Sequence, residues 1–413
     1  MTPTDAEGRP AAGDDRQRAA EARLVKAAKL DLTPRELAGR MAGYVAGQDD
    51  ALRTLSVVAV QHLTARVRRL ASTVPPVQPT RIQPLLLVGS PGTGKTTALR
   101  ALGRLLGLPH HIADASRLTA EGWQGLGLAD VLQPLMTQAD DFAPLAVGGI
   151  LCLDEIDKKK RSDMLAYGGR DISGGDAQDV LLRLLDGGVV QYDVYGGANG
   201  SVRSTRAFTC EHLLILAAGA FDGIEDVVLS RIRGKKRIGF GAGDDRGPDE
   251  LSASELRRLV THEDVRSYGL KREICSRFGR ILVFDDLDRR AMRRILVETP
   301  EGAIQTVQAL ARPQGFRFEF PNALIEAILD RCGGDARGLS RLVSQATEAA
   351  FYSVPDRIRA MGRRATFGEV VVGLRSDSIH SGYHTVRLDM PPGYIEVEPP
   401  VRSTGRRARA AGG

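Results

Sequence analysis

The sequence predicts an α/β fold with two units, a large three-layer α/β/α unit on a parallel sheet and a smaller, mostly helical C-terminal unit. Strand-like and helix-like patterns alternate from residue 84 to about residue 283, as in a parallel sheet covered by helices on both faces. Beyond residue 284 helical patterns dominate, with one strand-like stretch at 316–320. The expected boundaries are a flexible tail at 1–30, the large unit at 31–283, the small unit at 284–375 and a flexible tail at 376–413.

Two helices are expected before the first strand. Thr33 suits the N-cap position, and Pro34 suits the first helical position, where its missing N–H costs nothing. A second helix is expected over residues 49–70. The connection that follows, at residues 72–83, contains three prolines, so we predict a surface loop there.

In the small unit, helices are expected at residues 288–296 and from Asn322 onwards, on either side of the strand-like stretch. A longer helix follows, in which apolar residues recur at the spacing i, i+3, i+4, i+7 and therefore share one face. These apolar residues are Leu339, Leu342, Val343 and Ala346.

A glycine-rich loop, GSPGTGKT at residues 89–96, follows the apolar run at 85–88. A strand, a glycine turn and a helix start in this order direct backbone N–H groups and a helix dipole at an anion. Lys95 is expected to reach the β- and γ-phosphates of a nucleoside triphosphate, and Thr96 to ligate Mg²⁺. The residues expected to hold the phosphates are Gly89, Ser90, Pro91, Gly92, Thr93, Gly94, Lys95, Thr96 and Thr97. The sequence therefore predicts binding of ATP with Mg²⁺.

An acidic pair ends a second apolar run about sixty residues later. Residues 149–153 are expected to form a central parallel strand, and Asp154 and Glu155 follow it directly. Ligands in open α/β sheets lie beyond the carboxyl ends of the strands, where this pair would emerge. Asp154 is expected to hold the magnesium, directly or through water, and Glu155 to polarise the attacking water as general base. Because a binding protein needs only the first motif, the pair predicts hydrolysis.

Composition narrows the class of protein. A chain of 413 residues is long enough for two cores, and its net charge of 57 − 51 = +6 is modest. The four cysteines are far apart in sequence, which argues for reduced thiols rather than a zinc site or disulfides. The first residues lack a signal-peptide pattern, and no apolar run approaches the ~20 residues of a membrane span. We therefore expect a cytoplasmic protein without a membrane partner.

Two arginines in the second half have contexts that suit nucleotide contact. Arg277 precedes the apolar stretch at 281–284, at an expected edge of the large unit, from which it could reach the γ-phosphate of a neighbouring subunit. Arg337 begins the long amphipathic helix, from which it could bind the nucleotide of its own subunit. Taken alone, each arginine is better explained as part of a surface ion pair.

From about residue 30 to residue 375, the chain resembles the ClpX family of AAA+ protein unfoldases. The resemblance rests on separated motifs in the family's order, among them YVAGQ at 44–48, the phosphate loop and DEIDK at 154–158. It implies an AAA+ P-loop NTPase in which Val45 lies on the adenine side, Arg277 acts on a neighbour's nucleotide, and Arg337 is the sensor-two arginine. It also implies a homo-oligomeric, hexameric ring that hydrolyses ATP at its subunit interfaces.

Three further motifs resemble the loops through which this family handles polypeptide. GWQG at 122–125 resembles the central-pore loop, 170–174 the second pore loop, and IGF at 238–240 the tripeptide that docks on the ClpP peptidase. The residues implied are Trp123 and Gln124, then Arg170, Asp171, Ile172 and Ser173, then Ile238, Gly239 and Phe240. The implied substrates are unfolded or tagged proteins. Without the resemblance, Trp123 is better explained as a packing residue.

The chain also departs from the family's pattern. It lacks the four-cysteine zinc-binding domain at its N-terminus, so we expect a divergent, specialised member. The competing hypothesis is a DNA-handling AAA+ motor or loader, suggested by basic runs at 158–161 and 235–237 and by the arginine-rich end at 406–409. Because no helix-turn-helix or aromatic-interleaved basic stripe accompanies them, nucleic acid is not the expected partner. A third hypothesis, a scaffold that binds ATP without turnover, conflicts with the presence of Glu155 and Arg277.

Overall fold

A five-stranded parallel sheet forms the centre of the first unit, in the order β2-β3-β6-β1-β7. Each neighbouring pair of strands is parallel. Strands β1 and β6 are buried along their whole length, which explains why they read as continuous apolar runs. The strands are β1 (Leu85–Val88), β2 (His110–Asp114), β3 (Ile150–Asp154), β6 (Leu214–Gly219) and β7 (Arg280–Val283). The predicted α/β class with a parallel sheet is confirmed.

The computed structural model describes part of the chain and divides it into two compact units, residues 1–286 and 287–413. The described ranges are 32–71, 81–118, 127–140, 143–159, 172–195, 202–236, 250–361, 369–381, 384–390 and 393–397. Within them, no helix combines the length and apolar composition that crossing a bilayer requires.

Helices cover both faces of the sheet, and alternate residues of each strand point to opposite layers. Leu85 and Leu87 pack with the helices of one layer, whereas Leu86 and Val88 pack with those of the other. The first layer contains α1 (Pro34–Ala42), α2 (Asp49–Ala71) and α3 (Lys95–Leu106). The second contains α4 (Leu128–Gln138), α5 (Ala143–Val147), α6 (Ile172–Leu185), α7 (Ile224–Lys236), α8 (Ala253–Arg258), α9 (His262–Tyr268) and α10 (Arg272–Cys275). The three-layer arrangement follows from this alternation.

The first helix begins where the sequence predicts. Thr33 is its N-cap, and the Thr33 hydroxyl accepts from the Glu36 N–H at 3.2 Å while the Glu36 carboxylate accepts from the Thr33 N–H at 2.9 Å. This reciprocal pair satisfies backbone donors that a helix start leaves without intrahelical partners. Pro34 occupies the first turn, and the second predicted helix is present as α2.

An antiparallel hairpin interrupts the parallel pattern. Strands β4 (Val189–Tyr195) and β5 (Val202–Thr209) pair with each other and form a separate two-stranded sheet. The alternation expected over residues 84–283 places this segment in the parallel pattern. Period-2 alternation alone does not distinguish a hairpin strand from a sheet strand, which explains the difference.

The second unit combines helices with a mixed sheet in the order β11-β10-β9-β8. Its elements are α11 (Arg289–Val297), α12 (Ala303–Ala311), β8 (Phe316–Glu319), α13 (Asn322–Arg331), α14 (Ala336–Met361), β9 (Glu369–Leu374), α15 (Ser378–Ser381), β10 (His384–Met390) and β11 (Gly393–Val397). The predicted helices and the strand at 316–320 are all present. Helix α14 buries the four apolar residues predicted to share a face, including Leu339 and Val343.

The expectation of a flexible tail from residue 376 is wrong for residues 378–381, 384–390 and 393–397. There β10 pairs antiparallel with both β9 and β11. Val386 and Leu388 alternate along β10 opposite Val372 and Val370 of β9. Proline pairs near this segment favour a tail without regular structure, and they outweighed the short alternation of β10 in the prediction.

Candidate nucleotide-binding site

The glycine-rich loop joins the end of β1 to the start of α3, at the carboxyl edge of the sheet. Gly92 has a φ of 82° and Gly94 a φ of 96°, which side chains strongly disfavour. Gly94 is also the N-cap of α3, and no side chain caps that end. The first N–H groups of α3 are therefore open to an anion, and the helix dipole favours negative charge there.

Close packing leaves no room for larger residues in the loop. A Cβ atom on Gly89 would lie 2.4 Å from the Phe284 carbonyl oxygen, so the loop starts against the chain that continues β7. A Cβ atom on Gly94 would lie 3.1 Å from Cγ1 of Val45. The structure thus brings Val45, the residue expected on the adenine side, next to the loop. Val45 itself is buried.

Lys95 is buried at the inner side of the loop. Its Nζ donates to the carbonyl oxygens of Gly89 at 2.5 Å and Ser90 at 3.0 Å. A buried ammonium group is retained only where polar partners compensate for lost hydration. The same Ser90 carbonyl accepts from the Thr93 hydroxyl at 2.8 Å. A positive charge is therefore held within the curve of the loop, as a polyphosphate site requires.

The two residues expected to ligate magnesium lie together. The Thr96 hydroxyl donates to Oδ2 of Asp154 at 2.8 Å, although β6 separates β1 and β3 in the sheet. Hydroxyl and carboxylate oxygens suit Mg²⁺, which commonly takes one or two carboxylates and completes its shell with phosphates and water. In the described part of the chain, no cluster of three or more His, Cys, Asp or Glu side chains offers a metal a complete protein cage. The donor set fits magnesium bound together with a nucleotide.

Glu155 has an unusual backbone conformation. Its φ is 58°, in the left-handed region, which costs a non-glycine residue roughly 1–2 kcal/mol. Its N–H donates to Oδ1 of Asp154 at 3.0 Å, and its side chain is exposed. Backbone strain of this kind concentrates at functional sites. The candidate general base is thus fixed at the end of β3, directly beyond the candidate metal ligand.

The thiol beneath this acidic pair is chemically inert. Burial, and then the charge of Asp154, raise the pKa of Cys152 far above its ordinary range. Burial also raises the pKa of Cys210 to about 12 and that of Cys275 to about 11. All four cysteines are free, as expected for reduced thiols.

The two candidate arginines belong to different units. Arg277 lies between α10 and β7, is 44 % exposed, and forms an ion pair with Asp186 just after α6. Arg337 lies in the first turn of α14 in the second unit; its side chain is exposed, and its backbone N–H donates to Oδ1 of Asp335 at 2.9 Å. The roles of both arginines at a nucleotide stay predictions.

The candidate polypeptide-handling residues are mostly outside the described residues. This applies to Trp123 and Gln124, to Arg170 and Asp171, and to Ile238, Gly239 and Phe240. Ile172 and Ser173 begin helix α6, which places the end of the second candidate pore loop at the start of that helix.

Two polar residues support the site in ways the sequence reasoning missed. The buried Gln48 amide donates to the carbonyl oxygens of Thr93 at 3.1 Å and Asp285 at 2.8 Å, and accepts from the Asp285 N–H at 2.9 Å. Asp157, also buried, accepts from the Phe221 N–H at 3.1 Å, which ties the acidic motif to the chain after β6. Both lie in motifs quoted above, but only the fold shows what they contact.

Comparison with known proteins agrees with this geometry. Residues 85–241 match the model of the ATPase family associated with various cellular activities (AAA). Proteins named ATP-dependent Clp protease ATP-binding subunit ClpX are also similar to the chain. That of Bacteroides thetaiotaomicron is 31% identical over 352 residues, 84% of this chain and 82% of the relative. That of Porphyromonas gingivalis is 30% identical over 325 residues, 78% of each chain, and that of Bacteroides fragilis is 31% identical over 325 residues, 78% of this chain and 77% of the relative.

These findings support the prediction of ATP hydrolysis. The similarity extends well beyond the AAA domain, because it covers about four-fifths of both chains. Family membership and the site geometry make the protein a Clp-type ATPase that binds nucleotide. The chain belongs to the ClpX family of AAA+ ATPases.

Proposed function

We propose that this ATPase is a protein unfoldase or remodeller that uses ATP hydrolysis in a hexameric ring to move polypeptide through a central pore. The observation that carries the proposal is the meeting of Thr96, Asp154 and Glu155 at the carboxyl edge of the sheet. This arrangement supplies the parts of a hydrolytic site, and the ClpX relatives are named as subunits of an ATP-dependent protease.

Each residue of the site has a distinct task in this proposal. Lys95 binds the β- and γ-phosphates, with the loop N–H groups around them. Thr96 and Asp154 hold Mg²⁺, which offsets the charge that spreads over the phosphoryl oxygens. Glu155 accepts a proton from the attacking water. Val45 contacts the adenine side.

Arg277 completes the site of a neighbouring subunit. Its guanidinium is only half-buried, so it is accessible to a second chain, and Asp186 holds it at the surface. An arginine supplied in trans to a phosphoryl group is worth about 10³–10⁵ in rate. Arg337 senses the nucleotide of its own subunit.

The pore and docking functions rest on the resemblance of their motifs. Trp123 and Gln124, with residues 170–173, contact the polypeptide, and the aromatic ring of Trp123 offers a large apolar surface for that contact. Ile238, Gly239 and Phe240 dock on a ClpP-like peptidase. An apolar anchor on a charged, glycine-rich segment suits a partner's pocket.

The alternative of a DNA motor has less support. In one of the basic runs that suggested it, at 158–161, the half-buried Lys159 donates through Nζ to the Leu118 carbonyl oxygen at 2.9 Å. Burial lowers the pKa of Lys159, although the charge of Asp114 opposes the shift. That lysine therefore holds its own fold together rather than presenting a charge to phosphates.

The test is the ATPase rate with and without an unfolded protein, beside the same assay with duplex and single-stranded DNA. We expect stimulation by polypeptide alone. The variant Trp123→Ala should keep basal ATPase activity and lose unfolding of a tagged, folded reporter. Stimulation by DNA alone, or unimpaired unfolding by Trp123→Ala, would contradict the proposal.

A further inference from the structure

Gln178 is a fully buried glutamine in the middle of helix α6, and its amide joins three segments. Its Nε2 donates to the Lys159 carbonyl oxygen at 2.7 Å and, more weakly, to that of Gly269 at 3.4 Å. Its Oε1 accepts from the Lys271 N–H at 2.8 Å. Lys159 ends the short helical turn that carries the acidic motif, and Lys271 begins the segment that leads to Arg277.

Two ion pairs add to these contacts along the same helix. Oδ1 of Asp179 lies 2.5 Å from Nζ of Lys271, and Asp186, just after the helix, pairs with Arg277. Asp186 follows Gln178 by about two helical turns, so the two residues contact the segment at separate points. The whole segment from Gly269 to Arg277 is therefore attached to this helix at both its ends.

The same segment is attached to the end of β6. The Tyr268 ring packs on Phe221 with centroids 5.3 Å apart, and the Phe221 N–H donates to Asp157 in the acidic motif. Burial, and then the charges of Asp157, Asp222 and Glu225, raise the pKa of Tyr268 to about 12. The tyrosine stays neutral, so the packing does not change over the ordinary pH range.

From this geometry we infer that Gln178 is a positioning residue: it fixes the acidic motif of its own subunit relative to the Arg277 that the subunit lends to its neighbour. The inference rests on the proposed function. Helix α6 also begins at the end of the second candidate pore loop. Because this buried amide bonds both the segment that carries the acidic motif and the segment that leads to Arg277, we expect stimulation by polypeptide to depend on it.

Chemistry favours this role over simple packing. A leucine would fill nearly the same volume, but it would leave the backbone partners of Gln178 without hydrogen bonds, at a cost of about 1–3 kcal/mol. A buried amide that bonds backbone groups from two other segments fixes their register as well as their distance. In the described part of the first unit, Gln48 and Gln178 are the buried amide side chains, and both lie at the nucleotide edge.

The test compares Gln178→Leu with the matched control Gln308→Leu, whose glutamine in α12 bonds only the backbone of Phe318 in the second unit. We expect Gln178→Leu to keep the Kd for ATP, to lose roughly 10- to 100-fold in kcat, as a displaced catalytic group does, and to lose stimulation by unfolded protein. Gln308→Leu should keep kcat and stimulation. A purely structural role for Gln178 predicts lower thermal stability with kcat and stimulation intact.

A folded Gln178→Leu protein with wild-type kcat and stimulation would overturn the inference. Should this variant not fold, Gln178→Glu replaces it: it keeps the acceptor for the Lys271 N–H, loses the donor to Lys159, and should show a smaller drop in kcat. The variant Arg277→Ala distinguishes a failure of the proposed function from a failure of this inference. Wild-type kcat in Arg277→Ala would overturn the proposed trans site and this inference with it, whereas a lost kcat there beside normal Gln178 variants would overturn this inference alone.

Discussion

Two glutamines in the two units make the same pair of hydrogen bonds with different consequences. Gln48 bonds both backbone polar groups of Asp285, and Gln308 bonds both backbone polar groups of Phe318 in β8. Gln48 also donates to Thr93 in the phosphate loop, whereas Gln308 connects α12 to β8. The additional hydrogen bond to Thr93 therefore links Gln48, unlike Gln308, to the nucleotide site.

The contrast extends to other buried polar groups. In the second unit, the hydroxyls of Thr299, just after α11, and Thr347, within α14, donate to carbonyl oxygens four residues earlier, at 2.8 and 2.9 Å. In the first unit, Asp157 and Gln178 bond segments far away in the sequence. Polar groups are costly to bury unless they are hydrogen-bonded, and these two residues are bonded to the segments that follow β3 and β6. Asp157 and Gln178 therefore connect distant segments beside the acidic motif.

The largest expected difference is in ATP turnover, between substitution of a carboxylate in the first unit and substitution of one in the second. Glu155→Gln should lower ATP turnover by roughly 10²–10⁴-fold while ATP still binds, because the amide cannot accept the proton of the attacking water. Glu326→Gln, in an exposed ion pair of the second unit, should leave turnover unchanged. Steady-state ATPase assays beside nucleotide-binding titrations measure both. Equal ATP turnover in the two variants would contradict the assignment of the general base to Glu155 in the first unit.

The second difference concerns magnesium. Asp154→Asn should raise the Mg²⁺ concentration needed for half-maximal activity by about tenfold or more, since a carboxylate supplies charge that an amide lacks. Chelation of Mg²⁺ should abolish turnover in the wild type. A magnesium titration of ATPase activity checks this. An unchanged Mg²⁺ requirement in Asp154→Asn would argue that the metal is held elsewhere.

The paired glutamines give a third, smaller difference. Gln48→Leu and Gln308→Leu should each lower the free energy of unfolding by about 1–3 kcal/mol, because each leaves backbone groups without partners. Only Gln48→Leu should also weaken ATP binding, because only Gln48 bonds the phosphate loop. Denaturant unfolding and ATP titration separate the two effects. Equal ATP affinities in the two variants would contradict the special role of Gln48.

The smallest effect is expected at the surface of the second unit. Arg293 pairs with Glu326 at 2.6 Å, and both side chains are more than 40 % exposed. Arg293→Ala should therefore change the free energy of unfolding by less than about 1 kcal/mol, and added salt should reduce that change further. Denaturant unfolding at low and high salt tests this. A loss of several kcal/mol would mean that exposed pairs stabilise the second unit as strongly as buried amides stabilise the first.

Much of the fold was predictable because its signals are local. The cap at Thr33, the buried run before Gly89 and the apolar face of α14 each depend on neighbouring residues. The hairpin and the strands after residue 383 were missed because short alternations and proline pairs have more than one structural meaning. The order of the strands in the sheet could not be predicted, because it depends on pairing between strands that are far apart in the sequence.

The residues of the candidate site also differ in whether the sequence alone could predict them. The loop at 89–96 and Asp154 can be identified from residue type and spacing, whereas no local sequence pattern indicates the role of Gln178. Its partners, Lys159 and Lys271, lie far away on either side in the sequence and meet it only in the fold.

The most direct test of a site shared between subunits mixes two variants. Glu155→Gln subunits lack the base but supply Arg277, and Arg277→Ala subunits keep the base but lend no arginine. Each should be inactive alone, and a co-assembled mixture should recover ATPase activity at the interfaces that pair an intact base with an intact arginine. Recovery would establish that Arg277 acts on a neighbour's nucleotide. A co-assembled mixture that stays as inactive as its parents would contradict it.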